Sequence, residues 1–546
     1  MPPMAQQRRV GAVREATVPW WQREGVISRV LAVAGVGVTL IGVVMLLVLA
    51  AQAGFFGPVP RVAAGAVFSA VLVGLGMRVH GRAGGQVGAI ALAATGIAGG
   101  YLEIVAMTTM YGWLPPVVGY VVALGIAAGG VGLAMRWRSQ ALAVLVVLGA
   151  ALLSPVVTTE LALLAFLIVL QIAALPVQLV RDWPYLHVVR TVPAVLATLI
   201  AVAAAELGDA TRGHRYEVLA AAIAVAAVGL AGSVLAVRRR AGDITASLTF
   251  AVATVPLLAT PTMFERRTAV LVAAVFAAVL LAVAALPWIS KLAGRVRIPG
   301  HLAAVAAVSG AFALLEVCFG ATRVETVPVA LYLVALGFLA VGGQQRSRMA
   351  AGIAGVFGLI GTLAFLADAG PSTLADQWNA EAHLGISTAL AALSALAVLA
   401  AGFWCARRLG LVDRESDATA VTVVGGLIGL YMVTALSVSL GIATGRSDGF
   451  LAGHGIATVV WMAAATTSLL FGLRRLSRTP QQAKVALAAG LLVTAAALAK
   501  LFLFDLATLD GLLRAAAFLV VGVLLLLVGT RYARSFAEAG GQAQSN

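Results

Sequence analysis

Charge is what this chain has least of. Asp, Glu, Lys and Arg make up only 11% of its 546 residues, where soluble domains carry about a quarter. So little charge excludes a water-soluble globule, which needs a polar shell. Lysine is rarer still, with Lys291, Lys484 and Lys500 standing beside many arginines. No basic run is long enough to form a nucleic-acid arm. The net charge of +15 therefore implies no nucleic-acid partner, because basic cytoplasmic loops of a membrane protein account for it. Cysteine is limited to Cys318 and Cys405. Neither fits a metal-binding spacing, and the two are expected at opposite sides of the membrane, beyond disulfide reach. P-loop, H-E-x-x-H and G-x-S-x-G signatures are missing. No catalytic residue, metal or cofactor is assigned on this basis.

What is present is apolar length. Hydrophobic residues make up 61% of the chain, and runs long enough to cross a bilayer recur along it. The pattern predicts an all-α integral membrane protein with about 18 transmembrane helices. They are placed near 30–51, 61–77, 87–109, 114–135, 140–157, 160–180, 187–206, 217–237, 244–262, 268–288, 301–320, 327–343, 349–367, 384–404, 419–443, 450–472, 484–505 and 511–530. Residues 1–29 form a short basic N-terminal tail, 30–530 the polytopic membrane domain, and 531–546 a C-terminal tail. Arg8, Arg9, Arg14 and Arg23 ahead of an apolar run imitate a signal sequence. The run from Val30 to Ala51 exceeds the usual apolar segment of about 7–15 residues, so an uncleaved first span is expected.

Basic residues orient this scheme. With the N-terminus inside, 28 of the 37 basic residues fall in the N-terminal tail and the inner loops, with Arg181 and Arg190 counted in one of those loops. Both termini are therefore expected in the cytoplasm. The span at 244–262 contains Pro256 and Pro261 and is either a kinked crossing or re-entrant; the charge pattern after it favours crossing. The longest loop, Ala369 to Ala382, is too short for a soluble domain. Gly96/Gly100, Gly125/Gly129 and Gly425/Gly429 have the spacing that lets helices approach closely in lipid, and Trp461 is mid-span, where it should pack.

The stretch from Lys500 to Arg514 concentrates the candidate chemistry. Lys500 lies inside an apolar run and Asp505 closes it; charges at such depth are costly and want a partner or a task. Lys500 and Asp505 are about 140° apart around a helix, so a kinked helix end or Arg514 would have to complete their contact. Glu103 and Glu316 lie at a similar outer depth in other spans. Arg61, Glu206, His383 and His454 fall at or beside outer helix ends as secondary candidates. Together these residues suggest a polar cavity open to the extracytoplasmic side that binds a substrate.

Several stretches resemble an uncharacterised bacterial membrane family, domain of unknown function 2339. They are G-F-F-G-P-V-P-R-V-A-A-G (Gly54 to Gly65), Y-L-E-I-V-A-M-T-T-M-Y-G-W-L-P-P (Tyr101 to Pro116), and S-Q-A-L-A-V-L-V-V-L-G-A-A-L-L-S-P (Ser139 to Pro155). Near the other end they are G-H-G-I-A-T-V-V-W (Gly453 to Trp461), K-L-F-L-F-D-L (Lys500 to Leu506), L-D-G-L-L-R-A-A-A-F (Leu509 to Phe518) and R-Y-A-R (Arg531 to Arg534). The resemblance implies a bacterial cytoplasmic-membrane protein and supplies no activity. The lipid bilayer is the expected partner. A transporter or flippase-like role is expected, acting on an anionic or lipid-linked envelope substrate. The alternatives are a polytopic glycosyltransferase with a lipid-linked donor, or a non-catalytic envelope scaffold. Against the glycosyltransferase stands the first outer loop, Gln52 to Pro60, which has no acidic base.

Overall fold

A computed structural model describes residues 57–501, apart from breaks at 83–84, 209–211, 241, 289–298, 413–414 and 476–479, together with isolated positions in the first and last expected spans. Among the described residues all regular structure is helical. In a bilayer this is the economical solution, because each helix satisfies its own backbone.

The order is α1 (Pro58–His80), α2 (Gln86–Val105, prolonged by a π-helical turn, Ala106–Met110), α3 (Pro116–Trp137), α4 (Gln140–Val157), α5 (Leu161–Ala173), α6 (Leu175–Val180), α7 (Pro184–Glu206), α8 (Arg212–Arg239) and α9 (Ile244–Ala259). It continues with α10 (Arg266–Ala285), α11 (Gly300–Ala321), α12 (Val327–Gln345), α13 (Arg348–Asp368), α14 (Pro371–Ala375) and α15 (Gln377–His383). The last are α16 (Ile386–Arg408), α17 (Glu415–Ala443), α18 (Gly449–Arg475) and α19 (Pro480–Lys500). Proline opens α1, α3, α7 and α12 within the first two positions, where its missing N–H costs nothing. Threonines inside the apolar helices return their hydroxyls to the carbonyl four residues back, as Thr198 does to Ala194 O and Thr249 to Thr245 O. Their polarity is thereby hidden from lipid.

Fifteen of the described helices are long and apolar enough to cross a membrane, each matching an expected span. The chain is a multi-pass membrane protein. The span expected at 160–180 is instead broken: α5 ends at Ala173 and α6 restarts at Leu175. Pro176 removes the amide that would have carried the first helix onward. Apart from those isolated positions, the spans expected at 30–51 and 511–530 lie outside the described residues. Pro256 stays within α9, which continues through a 3-10 turn at Thr260–Met263. Ile244–Met263 is thus one continuous apolar segment long enough to cross.

The chain separates into two compact units, one holding the chain to Phe264 with Ala285–Val305, the other Glu265–Ala284 with the chain from Ala306. In the first, α7 packs against α4, α5, α8 and α9. In the second, α12 packs on α13 and α16, and α18 lies between α17 and α19. The same hairpin occurs in each unit. Arg138 and Arg346 both end a helix in the left-handed region. The serine that follows, Ser139 or Ser347, caps the next helix by accepting from the amide three residues on. A tyrosine then bridges the pair: Tyr120 donates to Ser154 O and Tyr332 to Thr362 Oγ1. Of the small-residue pairs, Gly96 and Gly100 face neighbouring helices, whereas Gly125, Gly129, Gly425 and Gly429 have no contact above them among the described residues. Trp461 does pack, donating to Thr434 Oγ1 at 3.0 Å.

Candidate functional site

Lys500 ends α19, and its ammonium crosses to α18. There it donates to Thr458 Oγ1 at 2.7 Å and to His454 O at 3.1 Å. Two of the expected candidates, Lys500 and His454, are therefore brought together. Thr458 is a member that sequence reasoning passed over; its place one turn after His454 on the same face was the available signal. His454 itself is buried. Its Nε2 lies 2.9 Å from Leu374 O, so this nitrogen carries the proton and donates. Leu374 belongs to the loop from Ala369 to Ala382, in which no helix was expected. That loop instead forms α14 and α15, buries Leu374 and Ala380, and is tied down at its start by Tyr431, whose hydroxyl donates to Ala369 O. A continuous set of contacts thus links the loop, His454 and the Lys500 ammonium. Asp505 and Arg514, and with them the expected Lys500–Asp505 contact, lie outside the described residues.

In the same unit, Glu316 sits on α11 with Oε2 buried and accepting no hydrogen bond among the described residues. A cavity of about 490 Å³ opens one turn further on, lined by Phe319 and Thr322 and by the charged Arg266, Arg323 and Asp368. Arg266 fixes the end of α11 by donating to Gly320 O and Thr322 O at 2.7 and 2.6 Å. The alternation of spans puts these residues at the same membrane face as Lys500 and His454. A larger cavity, about 770 Å³, lies among α12, α13, α16 and α17, and its walls are mostly Ala, Gly, Leu and Val. Such walls suit an apolar chain better than a charged group.

Glu103 belongs to the other unit. It is 7% exposed, and its carboxylate occupies the space above Gly65 of α1, where any Cβ would overlap Oε1. The π-helical turn follows it directly, a distortion that often accompanies functional sites. Arg61 is half-buried in the first turn of α1, while Glu206 and His383 are exposed. His383 Nδ1 lies 3.0 Å from Asn379 O in its own short helix.

One expectation needs correcting. Arg190, counted as an inner-loop charge, lies inside α7 and is 2% exposed. It survives there because polar atoms surround it: His187 Nδ1 at 2.8 Å and Gln171 O at 3.4 Å. Gln171 donates to Thr191 Oγ1, and His187 Nε2 meets Ser233 Oγ, both at 3.4 Å. The signal was present, since Arg190 falls within the expected span at 187–206. Nearby, Arg240 pairs with Asp182 at the helix ends. Among the described residues, no three His, Cys, Asp or Glu side chains gather as metal ligands.

Residues 28–439, and again 351–535, match the family described as "Predicted membrane protein (DUF2339)". The chain belongs to this family. No curated protein and no solved structure matches it. The DUF2339 match takes in the Lys500–His454–Thr458 group, Glu103, Glu316 and the buried Arg190 cluster alike.

Proposed function

We propose that this DUF2339 chain is a transporter or flippase-like protein of the bacterial cytoplasmic membrane, with both termini in the cytoplasm. Its substrate is an anionic or lipid-linked envelope compound taken from the extracytoplasmic side. The observation that carries the reading is the Lys500 ammonium held against α18 at the end of an apolar span, beneath a folded loop hydrogen-bonded to His454. An ammonium in a poorly hydrated setting attracts an anionic head group far more strongly than one in bulk water. Asp505 and Arg514 complete the group in this proposal. Glu316 is its acidic member, and His383 flanks the entrance. The orientation rests on the excess of arginine in alternate loops.

The test is reconstitution in vesicles containing fluorescent phosphatidylglycerol, with leaflet exchange followed by chemical quenching. The expected result is exchange faster than in protein-free vesicles, and a loss of about tenfold in K500A, equivalent to about 1.4 kcal/mol. Exchange no faster than in protein-free vesicles, or a folded K500A equal to the unsubstituted protein, sinks the reading.

A second reading, a non-catalytic envelope scaffold, is favoured by one detail. Lys500 donates to a main-chain carbonyl, His454 O, a contact suited to fixing two helices together. A stable co-purifying envelope protein, together with silent exchange assays, would favour it.

A further inference from the structure

The buried group on α7 has a defined direction of hydrogen bonding. A guanidinium has only donors, so Arg190 Nη2, 2.8 Å from His187 Nδ1, makes Nδ1 the acceptor. The ring proton then sits on Nε2 and points to Ser233 Oγ at 3.4 Å. Ser233 in turn donates to Ala246 O of α9 at 2.7 Å. Every donor in this line faces away from Arg190. A second proton on the imidazole can enter only at Nδ1, where it would meet an N–H of the guanidinium. Protonated His187 and the Arg190–His187 hydrogen bond therefore exclude each other.

The surroundings supply the second arrangement. Gln171 is fully buried, its carbonyl oxygen already lies 3.4 Å from Arg190 Nη1, and its side-chain Oε1 accepts no hydrogen bond among the described residues. A buried acceptor left unmade is costly, and a displaced guanidinium would satisfy it. Gly232 of α8 leaves the notch in which the first arrangement sits. A Cβ there would overlap Arg190 Nη2 and come within 2.9 Å of His187 Cε1.

We propose that His187 is a proton-binding site, filled when Arg190 leaves Nδ1 for Gln171 Oε1, and that the proton is the ion coupled to substrate movement. The second half rests on the transport reading; the first does not. The charges facing His187 are few. Its own helix supplies Arg190, and α9 supplies Asp243, whose field reaches the ring from the helix N-cap. The end of α8 supplies exposed Arg238, Arg239 and Arg240, the last paired with Asp182. His301, at the start of α11, is engaged with Ser247 at 2.6 Å. Neither α4 nor α5 carries a titratable side chain.

The experiment uses the full-length protein in nanodiscs of phosphatidylethanolamine and phosphatidylglycerol, with nitrogen-labelled histidine and arginine. It follows the ring nitrogens by NMR from about pH 2 to pH 9, a window that extends well to either side of ordinary histidine titration. The His187 signals are those missing from H187Q. The expected result is a single Nε2–H tautomer at high pH and the doubly protonated ring at low pH. The Arg190 Nη signal should move with the same midpoint. In R190M the midpoint should rise by about one pH unit or more, because a like charge and an opposing donor are removed; in G232V, which pushes the guanidinium off Nδ1 and keeps its charge, it should rise by less. R190K keeps the charge, and the unsubstituted protein's own titration needs no variant to fold. A His187 ring that stays singly protonated throughout, or one that protonates while the Arg190 signal is unchanged, overturns the site. Proton binding is read without substrate, so its failure is separate from failure of the transport reading. Exchange of the probe lipid at one rate with and without a pH gradient overturns the coupling alone.

Discussion

Lys500 Nζ and Thr458 Oγ1 meet 2.7 Å apart across the α18–α19 interface, joining the end of one span to the third turn of another. Interhelical hydrogen bonds within membranes contribute about 0.6 kcal/mol on average and at most about 1.7. T458V should therefore destabilise the α18–α19 pair by an amount in that range, read by SDS or steric-trapping unfolding. K500M, which removes the charge and keeps the stem, should be neutral or stabilising, because an apolar isostere has no ammonium to desolvate. The same K500M protein should lose anionic-lipid exchange. Stability and function would then move in opposite directions, an outcome a purely structural lysine does not give.

Glu103 and Gly65 give a steric prediction. A methyl group at residue 65 would occupy the position of Glu103 Oε1, so G65A should cost about 1–3 kcal/mol by overpacking. The double variant G65A/E103A should recover most of that loss, because the carboxylate is what the methyl displaces. Equal destabilisation in G65A and in the double variant would mean that the glycine answers to something other than Glu103. The measurement is a double-mutant cycle on unfolding in micelles.

The two cysteines are both buried, Cys405 at 1% and Cys318 at 5% exposure, and neither is in a disulfide. A thiol must be exposed and ionised to react. A water-soluble maleimide should therefore label neither in native membranes and both after denaturation. Rapid native labelling at either position would show that its helix end opens to water.

The spans were legible because a bilayer imposes a length and forbids charge, and both constraints are local in sequence. The break after Ala173 was less so: the apolar run continues through Pro176, and only the missing amide ends the helix. Arg190 was misplaced because an arginine near a helix end reads as a loop charge. What holds it inside, His187 one turn earlier and Gln171 on α5, is a three-dimensional coincidence. Lys500 stood out as a costly charge, yet its acceptors are 42 and 46 residues away on another helix, and composition carries no trace of that pairing. The loop from Ala369 to Ala382 falls between two expected spans; its two short helices depend on Leu374 and Ala380 finding a neighbour to pack against. For the same reason, depth alone gathered Glu103, Glu316 and Lys500 into one expected group, although Glu103 belongs to one unit and the other two to the second.

Arg446 and Asp448, in the turn between α17 and α18, form a two-pronged ion pair at 2.8 and 3.0 Å. The hydrogen bonds from Arg446 hold the Asp448 carboxyl below its ordinary value. A carboxylate whose folded value is depressed contributes stability at every pH above its unfolded value, about 3.9. That contribution is lost as pH falls through the lower, folded value. Opening of the turn, read by hydrogen exchange over residues 444–449, should accordingly be flat from neutrality to about pH 5 and rise below about pH 4. D448N should abolish the dependence. The pair is exposed, so salt should weaken it at every pH where it is charged. An acid-induced opening that persists unchanged in D448N would assign the effect to another carboxylate.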